Sequence, residues 1–115
     1  MGTLATATVA LDATGYGTVF VACPSGAVWH IDGWSVSTNQ PNPIGTVQPV
    51  ATIYADSTPN ITKYIESTAS GNRDTSNTTA VLGGGEYLCA EWSGGLAGAL
   101  ATFTVRGRLE IKRGM

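Results

Sequence analysis

From Ala99 to Ile111 the chain alternates without a break. The odd positions are apolar or small (Ala99, Ala101, Phe103, Val105, Gly107, Leu109, Ile111), and from Thr102 the even ones are polar (Thr102, Thr104, Arg106, Arg108, Glu110). Successive side chains of a strand point to opposite faces, so a two-residue period of this length demands a long strand with one face buried and one wet. Phe103, Val105 and Leu109 are expected in the core. The preceding segment, Ser93-Gly94-Gly95-Leu96-Ala97-Gly98, is rich in residues that tolerate positive φ. With Tyr87–Trp92 before it, the C-terminal quarter reads as strand, turn, strand, which commits the chain to antiparallel β structure.

Composition points the same way. Charged residues make up 12% of the chain, about half the usual fraction of roughly 25%. Thr, Ser, Asn and Gly fill the deficit, a mixture that favours pleated strands and turns over helices. The 115 residues suffice for one domain with a core that needs no staples, so a single domain over 1–115 is expected. No window keeps an apolar stripe at helical spacing. Short β-rich runs recur instead, at Leu4–Leu11, Thr18–Ala22, Val28–Ser37, Val47–Ala55, Ile61–Glu66, Thr79–Leu82, Tyr87–Trp92 and Ala99–Ile111. About eight short strands in one small domain predict an all-β, antiparallel β-sandwich of jelly-roll-like type.

Two segments need separate reading. In the third run Trp29 and Ile31 share one face, whereas Trp34 and Val36 are offset from them by an odd number, with Gly33 between. One extra residue at a glycine is how a β-bulge re-aims a strand, so all four are expected to point inward across a bend at Asp32-Gly33. The prolines at 41 and 43 make Asn39–Gly45 a loop, and the polar run Ser67–Thr78 fits a disordered segment and an ordered crossover loop equally well.

No catalytic constellation stands out, and the chain is expected not to be an enzyme and to need no cofactor or metal. His30 is the single histidine and is expected on the face opposite Trp29 and Ile31. The serines lack a Gly-x-Ser-x-Gly elbow. Asp12, Asp32, Asp56 and Asp74 sit at turns, where Asp caps its own backbone, and no loop gathers the carboxylates that calcium requires. Gly83-Gly84-Gly85 precedes a strand, not a helix, and so is no phosphate loop. Cys23 and Cys89 lack paired zinc or redox spacing and read as buried thiols, with a disulfide as the other option. The two Asn-x-Thr triplets at Asn60 and Asn77 carry little weight, because Met1-Gly2-Thr3-Leu4 does not open like a secretion signal. No run reaches the ~18 apolar residues of a membrane span.

Surface chemistry gives weaker pointers. The net charge of −2 offers no general attraction to nucleic acid. Four of the six basic residues, Arg106, Arg108, Lys112 and Arg113, nevertheless gather at the C-terminus. They form either a solvated strand face or a site that docks onto an acidic partner. Arg73-Asp74, inside the polar run, either pins that loop or touches a neighbouring subunit. Trp29, Trp34 and Phe103 fall on core faces, which leaves Trp92, at a strand end, and Tyr16, in a turn, as candidates for an exposed glycan platform.

Several stretches also resemble a family. Gly26-Ala27-Val28-Trp29-His30-Ile31 is similar to a G-x-x-W-x-I strand of small β-sandwich virion proteins from tailed phages that infect actinobacteria. Ala51-Thr52-Ile53-Tyr54, Ser70-Gly71-Asn72-Arg73-Asp74-Thr75-Ser76 and Gly85-Glu86-Tyr87-Leu88 follow in the same order. Trp92-Ser93-Gly94-Gly95 then leads into Gly98-Ala99-x-Ala101-Thr102, so the likeness spans roughly residues 15–107. It implies a structural role in a phage particle made in the bacterial cytoplasm, foremost as a capsid decoration protein. The implied partners are the major capsid protein or neighbouring virion subunits, within a homo-oligomer such as a trimer, and neither nucleic acid nor membrane. The alternative it leaves is a minor tail or host-surface module that binds glycan through Trp92, Tyr16 and the 67–78 loop.

Overall fold

The computed structural model describes residues 2–39, 49–58, 61–68, 71 and 73–111, without the side chains of 56–58 and 61–66. The prolines at 41 and 43, Lys112 and Arg113 therefore lie outside the described residues.

Among the described residues nine strands form: β1 (Gly2–Ala10), β2 (Gly17–Ala22), β3 (Ala27–Thr38), β4 (Val50–Thr58), β5 (Ile61–Thr68), β6 (Arg73–Ser76), β7 (Ala80–Gly83), β8 (Tyr87–Ser93) and β9 (Leu100–Ile111). They make two antiparallel sheets. The first, sheet A, runs β1-β9-β3-β6 with β7 also on β3, and the second, sheet B, runs β2-β8-β4-β5. The pairs nest: β4 with β5 innermost, then β3 with β6 and β7, β2 with β8, and β1 with β9 outermost. A long antiparallel ribbon rolled on itself in this way is a jelly roll. The sequence reading of a jelly-roll-like sandwich holds, and nine strands replace eight. The added strand is β6, cut from the polar run expected to be a loop. β6 and β7 form one interrupted strand along β3, because Trp34–Ser37 pairs with β6 and Val28–Ile31 with β7.

The core is what alternation dictates. Phe103, Val105 and Ala101 of β9 are fully buried, as are Leu88, Ala90 and Trp92 of β8. The Trp34 and Phe103 rings meet at 6.4 Å between centroids. On β3 the register slips between Ile31 and Gly33 against β9, so Trp29, Ile31, Trp34 and Val36 all bury, as the phase change predicts. Both cysteines are buried and neither is in a disulfide. Cys23 lies in the core, where desolvation raises its thiol pKa, and its Sγ donates to the Ala27 carbonyl at 3.4 Å.

The buried face of β9 stops early. Leu109 is 46% exposed and Ile111 62%, against the expectation that Leu109 joins the core. The ladder with β1 ends at the Gly2–Gly107 rung, so the last residues of β9 pair with β3 alone.

Gly33 is where β3 must be a glycine. A Cβ there would collide with the carbonyl of Ser76 and the guanidinium of Arg106. Gly33→Ala should therefore destabilise by about 2–3 kcal/mol, whereas Gly2→Ala, with nothing within 4 Å of the new methyl, should stay within about 0.5 kcal/mol. Phe103→Ala should cost about 3–5 kcal/mol and Thr104→Ala, on the wet face of the same strand, less than about 1 kcal/mol. Urea unfolding of the four variants checks both contrasts.

Candidate functional site

The sandwich offers three places where chemistry collects: the outer face of each sheet and a cleft between them. Register fixes the first. On sheet A the outward positions line up as Thr6–Thr104–Ser35–Thr75 and Thr8–Thr102–Ser37–Arg73, two rungs across β1, β9, β3 and β6. Within the second rung the Thr8 and Thr102 hydroxyls bond to each other, their Oγ1 atoms 3.0 Å apart. The next outward residues of β9 are Arg106 and Arg108. Arg106 is half-buried and its Nη2 donates to the Ser76 carbonyl at 3.2 Å, while Arg108 is exposed beside His30. His30 Nε2 lies 2.7 Å from Glu110 Oε1, a pairing that 80 residues of separation hid from the sequence reading.

The cleft, about 380 Å³, opens between β3 and β6 on one side and β4 and β5 on the other. Trp34, Val36, Ala51 and Ile53 form its floor, with Ser67, Thr68, Asp74, Thr75, Ser76 and Asn77 at its rim. Asp74 is engaged locally, accepting from Thr68 Oγ1 at 2.5 Å and from the Thr75 amide at 2.8 Å. It thereby ties β5 to β6, which favours the local-pin reading of the Arg73-Asp74 pair. The two side chains part company: Asp74 faces the cleft opposite Val36, and exposed Arg73 faces outward opposite Ser37. Ser76 and Thr78 share a hydroxyl bond of 2.7 Å.

The outer face of sheet B differs in kind. Its rungs read Ala22–Tyr87, Phe20–Cys89–Tyr54 and Thr18–Glu91–Thr52 across β2, β8 and β4. Phe20 is 60% exposed, its ring edge-on to Tyr87 at 5.6 Å, while Cys89 beneath is buried. Tyr16 leans onto this face from the β1–β2 turn. Its hydroxyl donates to Glu91 Oε2 at 2.6 Å and accepts from Thr18 Oγ1 at 3.0 Å. The turn is rigid because Asp12 Oδ1 accepts from the amides of Thr14 and Tyr16 and from the Thr14 hydroxyl, bonds that lower the Asp12 pKa.

The residues expected to bind thus scatter. Arg73, Arg106 and Arg108 share the outer face of sheet A, Asp74 the cleft, and Tyr16 the outer face of sheet B. Trp92 needs correction. It is fully buried, its indole N–H donating to the Gly71 carbonyl at 3.0 Å, because it sits on the same face of β8 as Leu88 and Ala90. The aromatic platform expected from Trp92 and Tyr16 is instead Phe20, Tyr87 and Tyr54 beside Tyr16. Alternation in β2, with Val19 and Val21 inward, was the signal that places Phe20 outward.

Among the described residues no group of three His, Cys, Asp or Glu side chains could hold a metal ion, and no helix is long and apolar enough to cross a membrane. Compared with known family models, with curated proteins and with solved structures, the chain matches none.

The bond to Glu91 is the largest cause of a raised Tyr16 pKa. A phenol whose folded pKa is raised adds stability below the ordinary tyrosine pKa and loses it as pH climbs through the raised value. Ultraviolet titration should find one tyrosine ionising late, and Glu91→Gln should return it toward the others. An unchanged titration in that variant would show that the bond does not form in solution.

Proposed function

We propose that the chain is a structural protein of a phage virion, a capsid decoration protein that docks on the major capsid lattice through the outer face of sheet A. The observation that carries this reading is the pair of hydroxyl rungs spanning four strands, bordered by Arg73, Arg106 and Arg108. A broad, mostly uncharged face sheds water at lower cost than a charged one, and on it Thr8 and Thr102 already partner each other. Arginines at its margin add directed, bidentate contacts to carboxylates of a partner and steer the encounter. The segments that resemble actinobacterial phage virion proteins support the same role, and repeated docking on a lattice fits a homo-oligomer.

Decoration requires a copy number that matches lattice positions. Quantitative mass spectrometry of purified particles should return hundreds of copies rather than a handful, and a handful would move the chain to the tail. Charge reversal at the two exposed arginines, Arg73→Glu with Arg108→Glu, should weaken binding to particles lacking the protein by about tenfold or more. Unchanged binding in a folded double variant would sink the docking face.

A further inference from the structure

We infer that the outer face of sheet B is a carbohydrate site for an uncharged pyranose glycan, seated on Phe20 and Tyr87 and hydrogen-bonded by Glu91 and Tyr16. An isolated exposed hydrophobe calls for no explanation. Here, however, Phe20 is 60% exposed on an outward rung, and Tyr87 and Tyr54 stand half-buried on the same face. The Phe20 ring is braced edge-on by Tyr87 at 5.6 Å, which fixes a ring-sized apolar platform before any ligand arrives.

The neighbouring rung supplies the hydrogen bonds. Thr18, Glu91 and Thr52 lie one rung along from Phe20 and two from Tyr87, which braces the ring from the far side, and Tyr16 bonds to Thr18 and Glu91. Rungs of the same face are about 7 Å apart and adjacent strands about 4.8 Å, a grid on the scale of one pyranose ring. A pyranose presents an apolar C–H face to an aromatic ring and a rim of hydroxyls to polar neighbours, which is the order found across these two rungs.

The polar row is already set for this. Glu91 Oε2 accepts from Tyr16, and among the described residues Oε1 of the same carboxylate has no partner, leaving an acceptor for a sugar hydroxyl. Charge points to the ligand class: Glu91 stands in the hydrogen-bonding row itself, so an acidic sugar would meet repulsion there and a neutral one would not. A protein partner fits less well. Protein interfaces cover about 800 Å² per side around a buried apolar centre, whereas here the apolar part is a few rings wide and directly bordered by the hydrogen-bonding row.

This site does not rest on the docking role: it lies on the opposite side of the sandwich, and the isolated protein can be tested without capsids. Methyl glycosides of glucose, galactose, mannose, rhamnose and N-acetylglucosamine, and methyl glucuronide as the acidic control, are titrated to high concentration against isotope-labelled protein. For at least one neutral sugar, amide shifts should concentrate on 16–22, 52–54 and 87–91. Phe20→Ala should weaken that binding by about tenfold or more, and Glu91→Gln should weaken it without changing the fold. Thr104→Ala, on the other sheet's outer face, should leave it intact. Three outcomes would overturn the inference: no shifts with any neutral sugar, shifts that persist in Phe20→Ala, or equal binding of the glucuronide.

Discussion

Everything in this sandwich depends on one irregular rung, where β3 passes Gly33. A strand of twelve residues keeps a single phase unless something resets it. Without the slip between Ile31 and Gly33, Trp34 and Val36 would turn to solvent and Ser35 and Ser37 would turn inward. The same place is where the β6–β7 strand breaks, with Ser76 at the end of β6 opposite Trp34. Arg106 reaches over Gly33 and donates to that carbonyl. Bulge, break and arginine therefore meet as one device: the glycine leaves room for the Ser76 carbonyl and for the guanidinium that donates to it.

That device also explains why the hydroxyl rungs of sheet A are regular. They lie beyond the slip, where β1, β9, β3 and β6 run in common register. Arg106 at their margin is then partly structural. Its half-burial and its bond to Ser76 make it a fixed edge of the face, whereas Arg73 and Arg108 are exposed and free to meet a partner.

The legible parts of the fold were those where one period and one burial pattern coincide. β9 as far as Gly107 and the phase change in β3 could be read because apolar and polar residues separate cleanly between faces. β6 could not, since Arg73, Asp74, Thr75 and Ser76 carry no apolar residue to mark a face, and their pairing with β3 is a long-range event. Leu109 misled because alternation reports which way a side chain points and not whether a second layer covers it. Trp92 misled for a different reason: it stands near the end of β8, and the faces of that strand separate weakly, Leu88, Ala90 and Trp92 on one and Tyr87, Cys89 and Glu91 on the other. Only the pairing of β8 between β2 and β4 decides which set is buried. The same ambiguity hid Phe20, whose strand neighbours Val19 and Val21 are equally hydrophobic.

A charge-poor sandwich must still expose two outer faces, and this chain treats them differently. Sheet A presents a hydroxyl-rich face bordered by arginines, so a partner would gain on it chiefly through them. Sheet B presents Phe20 to water, a state that improves when an apolar surface covers the ring. The two faces point in opposite directions and would hold partners by different forces, salt-sensitive on one and salt-insensitive on the other. A molecule held through the arginines of sheet A would therefore keep its aromatic face turned away from whatever holds it. An exposed aromatic platform next to an acceptor carboxylate is then useful only toward the outside, so that anchoring by one sheet orients the other.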